Sequence, residues 1–172
     1  MPTAAYIEMK GRQQGLMTTN SCSEDSIGTH HQQLHDQELI AHEISHVVTV
    51  PTDPLSGQPS GQRVHKPFTF TTPLCHAVPN MYSALSSGEQ LEYLYVNFWR
   101  TASRGEEEKF FRIEIIDGTI VDMDLYMPHV LDPKSSDYTQ LVKVSVAYAE
   151  IHWNHLIQGP KSEDKWIERK GH

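Results

Sequence analysis

Residues 40 to 50 read IAHEISHVVTV, and within them His42, Glu43 and His46 spell H-E-x-x-H. On a helix that spacing puts two imidazoles on one face, with Cβ atoms ~5–6 Å apart. Both rings can then reach one Zn²⁺ at ~2.0–2.1 Å, with the glutamate as the base of a hydrolase. On a strand four residues span roughly 13 Å, and the rings cannot easily converge. The chemistry therefore depends on the element. Ahead of the motif, HQQLHDQELIAHE contains good helix formers. Behind it, His46 runs straight into Val47-Val48-Thr49-Val50 with no Gly, Asn or Pro to end a helix. Ile40, Ile44, Val48 and Val50 fall on one parity, with His42 and His46 filling the gaps, so period 2 is expected to continue through the motif. The extended zinc-protease pattern needs Gly at position 49 and His at 52, where this chain has Thr49 and Thr52. The reading is a strand with no metal, no catalytic residue and no cofactor. His31 and His35 form a second i,i+4 pair among eleven histidines, a source of adventitious metal binding rather than function.

The elements that must place these side chains are mostly β. In KFFRIEII (109–116), Phe111, Ile113 and Ile115 alternate with Arg112 and Glu114. In DYTQLVKVSVAYAEI (137–151), Val142, Val144, Val146 and Tyr148 alternate with Lys143, Ser145 and Ala147. Such runs put one face on a core. LEYLYVNFWRT (91–101) is apolar on both faces, so it should be covered on both sides. Asp117-Gly118 marks either a hairpin or a bend within one long strand. One helix is expected at about 76–87. Leu74, Val78, Met81 and Leu85 form one stripe, Pro79 fits only a first turn, and Gly88 supplies the stop. The tail from 158 to 172 reads as loosely held.

Between Val50 and His65 lies PTDPLSGQPSGQRV, with prolines at 51, 54 and 59 and glycines at 57 and 61. Proline cannot donate to a sheet ladder, so about 51–64 is an extended loop or a long hairpin tip. Its apolar side chains, Leu55 and Val64, are too few to offset an ordering cost of roughly 1–2 kcal/mol per residue. It is either a solvated loop or an arm that orders on another subunit.

The 172 residues suffice for a single domain with a real core. A formal charge of −8 repels nucleic acid. The N-terminal residues show no secretory signal, and no apolar run approaches the ~18 residues of a membrane span. Cys22 and Cys75 cannot build a CxxC zinc module and read as reduced, half-buried thiols.

HVVTVPTDPLSGQPSGQRVHKPFTF (46–70) closely resembles the haemolysin-coregulated protein (Hcp) family of bacterial type VI secretion. So do AVPNMYSALSSGE (77–89), FWRT (98–101), DGTIVDMDLYMPH (117–129), YTQLVKVSVAYAEIHWNH (138–155) and the opening MPTAAYIEMKGRQQGL. The histidine-rich segment 29–46 and Thr72-Pro73 depart from the family pattern. The resemblance implies a compact β-barrel of two sheets with one flanking helix, in which Asp117-Gly118 is a bend. It implies a homohexameric ring and rings stacked into a tube inside a contractile sheath. A trimeric spike protein tips the tube, and small effector proteins travel in the lumen. It implies residence in the bacterial cytoplasm before firing and release by the secretion machine without a signal peptide. No nucleic acid and no stable membrane insertion are expected. Relatives with an added C-terminal toxin domain need more chain than follows His155, so no enzyme is expected here. Six copies at −8 give about −48 per ring, so stacked rings must pair opposite charges locally. Pro51, Asp53, Pro54, Leu55, Gln58, Pro59, Arg63 and His65 are the expected interface residues, with Asp53 and Arg63 as the charged contacts.

Overall fold

The structure is a computed structural model and describes residues 3–31 and 33–166. In chain order the strands and helices are β1 (Ala5–Gly11), β2 (Gly15–Leu16), α1 (Glu24–Ile27), β3 (Leu39–Ala41), β4 (Glu43–Ser45), β5 (Val48–Thr49), β6 (Val64–His65), β7 (Phe68–Pro73), α2 (Val78–Ser87), β8 (Gln90–Thr101), β9 (Glu107–Tyr126), β10 (Leu141–Ala147), β11 (Glu150–His155) and β12 (Lys161–Lys165). The fold is mainly β, as the alternation predicts.

Two sheets are present, as expected, but they are very unequal. Ten strands form one antiparallel sheet along β2-β1-β8-β9-β10-β7-β4, with β3 on β1 and with β11 and β12 extending from β9. The second sheet is only the β5–β6 ladder. Residues 39–45 link the two margins of the large sheet. β3 pairs with β1 through Ile7↔Leu39, and β4 pairs with β7 through Glu43↔Thr71. Between them the His42 N–H donates to the Thr71 carbonyl at 2.8 Å. The sheet curls on itself, but the ladder is broken at His42 rather than closed.

That break changes parity. Leu39 and Ala41 point into the core from β3, whereas Ile44 packs against it from β4. Period 2 does not run through H-E-x-x-H as expected. The motif is nonetheless extended, and Glu43 to Ser45 are strand.

The core is the inward row of each strand. Val142, Val144 and Val146 of β10 are all fully buried, as are Leu94 and Val96 of β8. Each such side chain stabilises the fold by about 1.5–3 kcal/mol. Asp117-Gly118 is a bend inside the 20-residue β9. Asp117 takes φ 51°, and a Cβ on Gly118 would press on Val146 Cγ1 at 3.0 Å. The bend lets β9 pair with β11 before it and with β10 after it.

α2 packs on β9 with Val78, Met81 and Ala84 buried. Pro79 sits in its first turn, and Gly88 at φ 66° donates its N–H to the Ala84 and Leu85 carbonyls. Leu74 is not on the helical stripe. It follows β7 and is exposed.

Residues 161–165 are not loose as expected. They pair with β11 along its length. Tail residues 167–172 lie outside the described residues.

Candidate assembly interface

The chain between β4 and β7 is a long hairpin, and its tip is ordered by its own turn chemistry. Ser60 N–H donates to the Pro51 carbonyl at 2.7 Å, and Asp53 N–H donates to Gln58 O at 2.8 Å. Thr52 and Pro59 form a bridge between them. The Asp53 carboxylate accepts from Leu55 N–H at 2.9 Å and from the Ser56 hydroxyl at 3.0 Å. These donors hold its pKa below the ordinary value. Gly57 completes the turn at φ 68°, a conformation glycine adopts without strain. Local hydrogen bonds rather than apolar burial set the path here. Leu55 stands at the tip, 98% exposed.

The base of the hairpin is tied to the body by a polar cluster. His65 is buried, with Nδ1 at 2.8 Å from the Tyr148 hydroxyl and Nε2 at 2.8 Å from Asp164 Oδ2. On the other leg, His46 Nε2 lies 2.6 Å from the same hydroxyl. The Arg63 guanidinium grips both Asp164 oxygens and donates to the Lys165 carbonyl at 3.0 Å. Trp166 stacks on the His65 ring. Since an ionised carboxylate only accepts, His65 Nε2 carries a proton toward Asp164. With His65 neutral, its Nδ1 accepts from Tyr148, and the Tyr148 oxygen accepts from His46 Nε2–H. One directional chain thus satisfies all four groups.

The electrostatics agree with that chain. Hydrogen bonds from Arg63 and His65 hold the Asp164 pKa down against its burial. Burial and the nearby Asp164 charge push Tyr148 up. Burial pushes His46 below its ordinary value.

The expected interface residues therefore divide in two. Pro51, Pro54, Leu55, Gln58 and Pro59 form the exposed distal hairpin with Asp53, whose carboxylate shapes the turn. Arg63 and His65 belong to the anchor at its base. The histidines of H-E-x-x-H go separate ways. His46 binds Tyr148, while His42 is exposed at the strand break. His35 is buried and stacks on Tyr6 at 3.6 Å, with Nδ1 at 2.6 Å from Glu38, whereas His31 is half-buried. Cys22 and Cys75 are free and buried, and burial pushes the Cys22 thiol up to about 12.

Further exposed apolar side chains lie where the sequence gives little signal. Leu125, Tyr126 and Met127 at the end of β9 are exposed, as are Val130, Leu131 and Tyr138 in the following loop. Met127, Val130 and Tyr138 line one shallow depression, and gathered apolar surface of this kind marks interaction sites. Its only sequence signal is MPHVLDP, an apolar loop between two strands.

A family model described as "Type VI secretion system effector, Hcp" matches residues 6–155. The chain belongs to the Hcp family. These are type VI secretion tube proteins. The "Major exported protein" of Pseudomonas aeruginosa is 37% identical over 166 residues, covering 96% of each chain. A crystal structure of an Hcp protein superposes with TM-score 0.91 at 43% identity, covering 96% of this chain and 98% of the other. The secreted protein Hcp3 from Pseudomonas aeruginosa gives TM-score 0.81 at 31% identity, covering 95% and 98%. No helix among the described residues is long and apolar enough to cross a membrane.

Proposed function

We propose that this chain is a tube subunit, assembling as a hexameric ring whose copies stack inside the contractile sheath. The spike protein caps the tube, and small effectors occupy its lumen. The chain waits in the bacterial cytoplasm and leaves through the secretion machine. The observation that carries this reading is the hairpin. Its path is set by its own hydrogen bonds, it is anchored at its base, and it presents Leu55 at an exposed tip. An interface between rings needs that kind of pre-ordered element, because little entropy remains to be lost on docking. Pro51, Pro54, Leu55, Gln58 and Pro59 are its contact residues, and Asp53 holds their turn. Arg63 and His65 act indirectly by fixing the hairpin's angle.

Membership of a structural family favours a protein without catalysis. A monomeric barrel that binds a small ligand needs an enclosed, largely apolar pocket. A depression of about 550 Å³ at the β8–β9 turn is an open groove rather than an enclosed pocket. Arg100, Arg104 and Glu106 are among its charged walls. Light scattering with negative-stain electron microscopy tests the proposal. Rings with the mass of six 19.6 kDa chains are expected, and a lone chain at high concentration would refute them.

A further inference from the structure

We infer that the outer face of β9, β11 and β12 carries a divalent-metal site of the zinc type, centred on His152. Alternation along β11 buries Ile151 and turns Glu150 and His152 to the opposite face. The antiparallel register then sets Glu114 of β9 and Glu163 of β12 directly across from His152 on either side. Directly paired residues point the same way, so three carboxylates surround one imidazole.

The ligand atoms of Glu150, His152 and Glu163 lie within 4.8 Å of one another. His152 Nε2 touches the Glu150 carboxylate and lies 3.8 Å from Glu163 Oε2. Around Zn²⁺, with bonds of ~2.0–2.2 Å, such atoms would sit roughly 3.4 Å apart. Small rotations of the two glutamates supply the difference, and Glu163 is largely exposed and able to make them. Because Glu163 is exposed, water can supply a fourth ligand.

The other ring nitrogen gives an independent pointer. His152 Nδ1 is buried without a hydrogen-bond partner and faces Glu114 Oε2 at 3.8 Å. Metal-bound histidines commonly hold the second N–H on a carboxylate, which fixes the tautomer and leaves Nε2 for the ion. Glu114, at 3.8 Å, makes no hydrogen bond as it stands, and a small rotation of its side chain would bring it within reach of that N–H. Arg112, at 3.7 Å, offsets part of the Glu114 charge, and Lys165 pairs opposite Glu150. A mixed imidazole and carboxylate set suits Zn²⁺ or a neighbouring divalent transition ion. Binding would staple β12 to β11. Since Asp164 of β12 anchors the hairpin base, occupancy would steady that base as well.

The test is calorimetric titration of ZnCl₂ alone into the full chain, in its native assembly, after chelator treatment. One ion per chain is expected, with the N–H groups of 161–165 more protected from hydrogen exchange when it is bound. Glu163→Gln leaves the core untouched and should weaken binding at least tenfold, as should His152→Ala. Glu114→Gln, behind the histidine, should weaken it about tenfold. His42→Ala should change nothing. Equal affinity in Glu163→Gln and wild type would overturn the site. So would loss of binding in His42→Ala, or uptake by wild type only at millimolar zinc.

Discussion

The curled sheet and the hairpin that projects from it are held by opposite means. In the sheet, rows such as Val142, Val144 and Val146 are sealed from water, and each side chain touches several others. In the hairpin between β5 and β6, almost every residue is exposed, and the path is fixed by turn hydrogen bonds above and a polar cluster below. Burial is redundant and insensitive to pH. A polar anchor of few groups is neither. The body therefore holds across a wide pH range, while the arm can be loosened or displaced with the body intact.

Cutting into the sheet should have the largest effect. Phe70→Ala removes a fully buried ring beside Phe68 and should cost about 3–5 kcal/mol in denaturant unfolding. A cost below about 1 kcal/mol would mean that the sheet core is not what holds the body. Asp164→Ala comes next. It leaves the buried His65 without its acceptor and Arg63 without its carboxylate, at about 1–3 kcal/mol. Hydrogen exchange should rise in residues 46–65 and stay unchanged in β10. Equal loosening of both would erase the distinction between arm and body.

Acid should act on the same anchor without any substitution. The folded pKa of His46 lies below its ordinary 6.5, so the unfolded chain binds the extra proton first. The resulting stability is present above pH 6.5 and falls as pH drops through the folded value. Asp164 has the same sign lower down, because its folded pKa lies below the ordinary 3.8. Arm exchange rates should therefore climb in two stages as pH falls, first below about 6.5 and then below about 3.8. His46→Phe should remove the first stage. A flat profile across both windows would mean that the cluster does not hold the arm.

The same contrast governs what could be read from sequence. β10 and the first half of β9 were legible because apolar and polar residues alternate there without ambiguity. α2 was legible because its stripe ends at Gly88, a residue suited to the left-handed stop. Around His42 both parities carry apolar residues, Leu39 and Ala41 on one and Ile40 and Ile44 on the other, so the change of face left no trace. β12 reads Lys-Ser-Glu-Asp-Lys, an edge strand specified by backbone pairing and without an apolar pattern. The anchor was invisible for a different reason. His65 and Asp164 are 99 residues apart, and only the folded sheet brings them together.

At the tip, a substitution should leave stability within about 0.5 kcal/mol of wild type, because Leu55 touches so little of its own chain. The decisive measurement is analytical ultracentrifugation of wild type beside Leu55→Asp, with melting curves of both. The account predicts six-chain rings and their stacks for wild type. For Leu55→Asp it predicts loss of the stacks or of the rings at an unchanged melting temperature. Identical particle distributions for the two proteins would contradict it.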